Sequence, residues 1–193
     1  MLFGVKSIKN GQKKVIIWWK TFNLQKIRTI MELTSIDYAR LIQYAAQKLH
    51  MTQLNKTQIN KILFYVYGMY YAETGQLLFK DDSPKAWPYG PVFPIVNKRI
   101  NPDEIIKAFP NDIQDEFNKH SKALQLVKSA VDVMYCMSAV SLTKWSHKDG
   151  SPWYKTLYVK DDNGNVIKQN KWNTPISIDL IKEYFSNPTN RIK

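Results

Sequence analysis

The chain has 193 residues, of which 44% are hydrophobic and 13% aromatic, so it can fold around one core and is not intrinsically disordered. Its single cysteine, Cys136, excludes an internal disulfide and a multi-cysteine zinc site, and it indicates a reducing, cytoplasmic location. The net charge of +12 needs an explanation, because a basic chain is a candidate for nucleic-acid binding.

The positive charge is concentrated in residues 1–30, which hold seven basic residues and no acidic one. The remaining residues, 31–193, hold 21 basic and 16 acidic residues, a net charge of +5. The apolar run in the first segment, Val15–Trp19, is too short to cross a membrane, and no signal-peptide pattern follows it. Three interpretations remain open for residues 1–30: an upstream extension without its own function, an element docked on the main domain, or a basic arm that touches a membrane surface or nucleic acid through its two tryptophans.

The first part of the main domain, residues 31–193, is predicted to contain two helices. Ser35 is the expected N-cap of a helix over residues 36–49. A capping box that begins at Asn55 starts the second helix, which ends at Gly75. Apolar residues lie nearly all round this second helix, which indicates a central position. Gly68 in its middle indicates the close approach of another backbone.

Two prolines and a glycine surround two aromatic residues in the segment 86–92. Proline fixes φ and Gly90 permits φ values closed to other residues, so we predict a rigid loop that holds Trp87 and Tyr89 at low entropic cost. Pro91 is expected in the first turn of a short helix. For the two aromatic residues, core packing and partner contact are both open.

Further helices and one hairpin are predicted in the second half of the domain. Helices are expected over residues 103–109, 111–118 and 121–136. A turn at Asp149–Gly150 separates a helix that ends near His147 from one that Ser151 caps, and Trp153 in the latter is assigned to the core. Strands at 157–160 and 166–169 flank an Asn-Gly turn, and Ser177 caps a terminal helix. The predicted fold is mainly α (α+β): a single compact helical domain with a small antiparallel β element.

The sequence contains no evident catalytic constellation. None of the three histidines has a second histidine three or four residues away, so we expect no metal site at His50, His120 or His147. His147 lies near Ser146, Ser151 and Asp149, which are triad residue types, but the glycine-flanked nucleophile elbow is missing. We therefore interpret Ser151 as a helix cap, His147 as the maker of a structural hydrogen bond and Cys136 as a buried hydrophobic residue. A non-enzymatic protein without a cofactor is predicted.

Five blocks of residues follow one another in an order and spacing that resemble the Panacea domain family, the SocA-like and GepA-like phage-associated proteins. The resemblance spans residues 34–186, with Asn60 where the family usually has glutamine and Pro88 where it commonly has lysine or arginine. The blocks are Lys61–Tyr65, Gly68 with Gly75 and Leu78–Phe79, Ala86–Trp87 with Tyr89–Val92, Leu142–Thr143 with His147 and Pro152–Trp153, and Ile181–Phe185.

The resemblance implies an antitoxin that neutralises a toxin, encoded by the adjacent gene, through direct protein contact. In SocA-type members it also implies an adaptor that delivers the toxin to a cytoplasmic protease. The alternative hypothesis is a nucleic-acid-binding regulator that uses the basic residues 1–30, and no membrane partner is expected. As hypothetical partner-binding residues we select Trp87, Tyr89, Gly90, Pro91, His147 and Trp153.

Overall fold

The computed structural model describes residues 32–192, and the expectations for residues 1–30 lie outside this range. The described residues form eight α-helices and five short strands, which confirms the mainly α class. In chain order the elements are α1 (Ser35–His50), α2 (Lys56–Thr74), β1 (Lys85–Trp87), β2 (Gly90–Val92), α3 (Pro94–Arg99), α4 (Asn111–Lys119), α5 (Ser121–Met134), α6 (Ala139–Ser146), α7 (Pro152–Leu157), β3 (Tyr158–Lys160), β4 (Val166–Gln169), β5 (Thr174–Pro175), α8 (Ile178–Ser186) and a 3₁₀ helix (Pro188–Asn190).

Local capping determines where the first two helices begin. Thr34 is the N-cap of α1, because its hydroxyl accepts the backbone N–H of Asp37 and the Asp37 carboxylate accepts that of Thr34 at 2.8 Å. The expectation that Ser35 caps this helix is wrong. Ser35 is the first helical residue, and its N–H and hydroxyl each donate to the carboxylate of Asp81 at 2.8 Å. The reciprocal capping box at Asn55 is confirmed.

The second helix, α2, lies at the centre of the domain, as predicted. It packs against α1, α5, α6 and α8 and against strand β2. The close neighbour of Gly68 is a side chain and not the expected backbone. A Cβ atom built on Gly68 would lie 2.2 Å from Cδ2 of the Phe185 ring, so this ring of α8 occupies the space above the glycine. Glycine at this position lets α2 and α8 pack closely.

The segment 86–92, for which the sequence predicts a rigid loop, forms a β-hairpin. Trp87 pairs with Gly90 across a two-residue turn, and β5 lies on the other side of β1, giving the sheet order β2-β1-β5. Gly90 has φ +100°, a value that residues with a side chain rarely adopt. Pro91 lies in β2, so its assignment to a helix is wrong; the next helix begins at Pro94.

The segment 103–109, predicted to be helical, has no regular helix. It is held against α1 by Gln47, whose Nε2 donates to the carbonyl of Glu104 at 2.7 Å and whose Oε1 accepts the N–H of Ile106 at 3.0 Å. These long-range hydrogen bonds take the place of the backbone bonds that a helix would make. The side chain of Ile106 is buried. The two helices expected next appear as α4 and α5. Cys136, which the sequence predicts to be buried in a helix, is exposed and lies two residues beyond the end of α5.

The predicted second hairpin is present as β3 and β4. Its turn is organised by Asp161, whose Oδ1 accepts the backbone N–H groups of Asn163 and Asn165 at 3.0 and 2.8 Å. Among the helices of residues 32–192, none has by itself the length and apolar character needed to cross a membrane. Helices α5 and α6 meet that test only as a pair, and they are bent by 115° where they join.

Candidate partner-binding surface

The buried indole of Trp153 organises the aromatic residues next to the β1–β2 hairpin. The imidazole of His147 stacks on it with ring centroids 3.6 Å apart and an interplanar angle of 5°. The indole of Trp172 stacks at 6.3 Å and 28°. The Nε1–H group of Trp153 donates to the carbonyl of Trp87 at 2.8 Å. The prediction that Trp153 belongs to the core is confirmed, and its ring joins α7 to the hairpin.

The indole of Trp87 is held by the connection between β4 and β5. Its Nε1–H group donates to Oδ1 of Asn173 at 3.0 Å, and the backbone N–H of Asn173 donates to the carbonyl of Ala86 at 2.7 Å. Asn173 has φ +69°, in the left-handed region that asparagine tolerates better than most residues. These bonds place the neighbouring Trp172 beside the hairpin.

A buried lysine lies between α2 and the hairpin. Lys61 is 1% exposed, and its Nζ donates to the carbonyl of Pro91 at 3.0 Å. A Cβ atom on Gly90 would lie 2.5 Å from Oγ of Ser146 and 2.8 Å from Nζ of Lys61, so only glycine fits above the lysine. The preceding residue, Asn60, accepts the first backbone N–H after β2 at 3.0 Å. Two polar side chains of α2 thus fix the position of β2.

Burial changes the proton affinity of two groups in this cluster. It lowers the pKa of Lys61 to about 7. It also lowers the pKa of His147 to about 4, with a smaller contribution from the positive charge of Lys61. The Nε2 atom of His147 is buried without a hydrogen-bond partner among residues 32–192, so the expected structural hydrogen bond is not made at that atom. Its stack on Trp153 holds the imidazole instead.

The triad residue types near His147 are engaged in structural bonds. The hydroxyl of Ser146 donates to a carbonyl one turn back at 2.9 Å, and the hydroxyl of Ser151 donates to the carbonyl of Ser146 at 2.8 Å. Ser151 also caps α7, as predicted. The carboxylate of Asp149 accepts from Lys160 at 2.8 Å. Within residues 32–192, no group of three or more His, Cys, Asp or Glu side chains is placed to hold a metal ion.

Exposure separates the candidate residues into an exposed group and the residues that support it. Tyr89 is 75% exposed in the turn of the hairpin. Trp172, which the sequence interpretation missed, is 46% exposed. We call these two exposed residues, together with the half-buried Trp87 that lies in strand β1 beside them, the aromatic surface. The other candidates support it from below: Gly90, Pro91 and Trp153 are buried, and His147 is half-buried.

Lysines accompany the aromatic surface along the chain. Lys171 directly precedes Trp172, and Lys148 directly follows His147. Lys85 lies on the same face of β1 as Trp87, because the two residues are two positions apart in the strand. Within residues 32–192 these three lysines form no ion pair, whereas two neighbouring lysines do: Lys155 with Glu183, and Lys160 with Asp149. The positive charges of these three lysines are therefore not paired with a carboxylate among residues 32–192.

The fold and this cluster define a mainly α domain in which buried polar side chains hold an exposed aromatic hairpin. Residues 59–154 match the family model described as antitoxin SocA-like, Panacea domain, a range that contains the hairpin, Lys61 and His147. Residues 59–154 of the chain belong to this family, which confirms the resemblance. The family indicates an antitoxin role, and an antitoxin has a toxin as its partner. No curated protein and no solved structure matches the chain.

Proposed function

We propose that this antitoxin neutralises its toxin by direct protein contact through the aromatic surface. The observation that carries the proposal is the exposed ring of Tyr89, at the turn of a hairpin that Lys61 and Asn60 bond to the central helix. Tyrosine and tryptophan are enriched among residues that dominate binding energy. An aromatic residue on a fixed support also loses little conformational entropy when it binds.

The charge of the surface indicates the chemistry of the partner. The three unpaired lysines, Lys85, Lys148 and Lys171, would be complemented by carboxylates on the toxin. Such complementarity accelerates association and is screened by salt. We therefore propose that the toxin, the product of the adjacent gene, presents an acidic surface with an apolar centre.

The test is co-expression of the adjacent gene with variants of this protein. Tyr89→Ala and Trp172→Ala are expected to weaken toxin binding about tenfold each and to abolish the rescue of growth. Met51→Ala is the matched control, since Met51 is a 94% exposed apolar residue at the end of α1. The proposal fails if both aromatic variants bind the toxin and restore growth as the wild type does.

We propose further that the same contact delivers the toxin to a cytoplasmic protease. It predicts that the half-life of the toxin shortens when the antitoxin is present. In a protease-deficient strain the half-life should recover, whereas blocking alone should still restore growth. An unchanged half-life in the wild-type strain would leave blocking as the complete mechanism.

A further inference from the structure

An apolar groove lies between α2, α5 and the segment that follows α8. It has a volume of about 430 Å³ and shares no residue with the aromatic surface. Its apolar lining comes from all three parts, and we call it the α2–α5 groove: Tyr65 and Met69 of α2, Leu126, Val133 and Met134 of α5, and Ile192.

The apolar lining residues of each helix lie on one face of that helix. Tyr65 and Met69 are four residues apart on α2, and Leu126 and Val133 are seven residues apart on α5. Residues at these spacings lie on one face of a helix, so each of the two helices presents one apolar face to the groove. Amphipathic peptide segments bind in grooves of this kind through apolar side chains one turn apart.

One charged residue lines the groove, and its donor is unused. Nε of Arg191 is buried and has no hydrogen-bond partner among residues 32–192. Burial raises the pKa of Tyr65, and the positive charge of Arg191 lowers it by a smaller amount. The guanidinium of Arg191 therefore lies close to the hydroxyl of Tyr65. The nearby carboxylate of Glu73 is already paired with Lys122. A buried donor without an acceptor is unfavourable, and an acceptor supplied by a ligand would relieve this.

We propose that the α2–α5 groove binds an apolar peptide segment of another protein that carries a carboxylate side chain, which accepts hydrogen bonds from Arg191. The apolar walls supply the affinity, and the guanidinium selects a planar carboxylate, which it can bind with two hydrogen bonds. The proposal goes beyond toxin neutralisation, because the groove and the aromatic surface are built from different residues.

The test is a selection from a displayed library of random 12-residue peptides on the full-length protein, followed by affinity measurements on the best synthetic peptide. We expect enriched peptides to combine apolar residues with Asp or Glu. Changing that acid to its amide should weaken binding about tenfold, as should Arg191→Gln. On the Arg191→Gln protein the acid and amide peptides should bind equally. Val133→Glu should block the groove, and Lys128→Gln, an exposed change on the same helix, should have no effect.

Several results would overturn the proposal: no enrichment, enriched peptides without an acid, or peptides that bind Arg191→Gln and Val133→Glu as tightly as the wild type. Self-association that Val133→Glu abolishes would assign the groove to a second copy of the chain and would equally refute it. Ser129→Arg, on an exposed residue of the groove, replaces Val133→Glu if that variant does not fold. Toxin rescue separates this proposal from the first: Arg191→Gln should retain it, and Tyr89→Ala should retain peptide binding.

Discussion

The buried amine of Lys61 makes the free energy of unfolding depend on pH. Burial lowers the pKa of this amine from 10.5 to about 7 in the folded chain. Between about pH 7 and 10.5 the unfolded chain therefore binds more protons than the folded chain, so stability rises with pH in this window. His147 acts in the same direction at lower pH, because its pKa falls from 6.5 to about 4.

The size of the effect follows from the two pKa values of Lys61. From pH 7 to pH 9 they predict an increase in the free energy of unfolding of about 2 kcal/mol. Burial raises the pKa of four tyrosines, of which Tyr65 is half-buried and the others are buried: Tyr38, Tyr65, Tyr67 and Tyr184. Above pH 10 the folded chain retains their protons while the unfolded chain loses them, so these tyrosines lower stability there. Measurements that end at pH 9 avoid this opposing effect.

Urea unfolding at pH 7, 8 and 9 and constant ionic strength measures the prediction. Lys61→Met keeps an unbranched chain of similar length and removes the amine, so the variant should lack the increase of about 2 kcal/mol that the wild type shows. Lys56→Met, on an exposed lysine of the same helix, should retain the wild-type increase. If Lys61→Met and the wild type have the same pH dependence, the reasoning about the buried amine is refuted.

The glycines provide further predictions, each checked by the urea midpoint. Gly68→Ala should lower the free energy of unfolding by about 2 kcal/mol, because overlap with the Phe185 ring outweighs the gain in helix propensity. Adding Phe185→Leu should recover part of this loss, and an unchanged midpoint in the single variant would contradict the packing argument. Gly90→Ala should cost more than Gly164→Ala, since both have positive φ but only the former would collide with Ser146. Equal losses would show that the buried side chains move aside.

Sequence patterns predict the parts of the fold that depend on neighbouring residues. The caps at Asn55, Ser151 and Ser177 are found as expected, because each side chain bonds to the backbone two or three residues away. The helix expected over 103–109 fails for the opposite reason. Its backbone groups bond to Gln47, more than fifty residues earlier, and no local pattern contains that partner.

The β1–β2 hairpin could not be predicted from its own residues. Two prolines in a short segment argue against a strand, since proline has no N–H group to donate. Pro91 is accommodated because β2 is an edge strand of the sheet. On its outer side no other strand of residues 32–192 needs a hydrogen bond from the missing N–H group. The hairpin is held by hydrogen bonds from Lys61 and to Asn60 of the central helix. Each bond joins residues about thirty positions apart in the sequence, so no local pattern contains both partners.

Solvent exposure separates the tryptophans that support the site from those that can contact a partner. The residue type alone does not predict this exposure. Trp153 and Trp172 are chemically identical and stack on each other, yet one is 4% and the other 46% exposed. The matched family range ends at residue 154, so it contains the support and Tyr89 but not Trp172. If both exposed rings contact the toxin, the change Trp172→Ala should alter partner choice and affinity while leaving the fold of the hairpin intact. A loss of folding in that variant would assign Trp172 to the support and leave Tyr89 as the anchor of the surface.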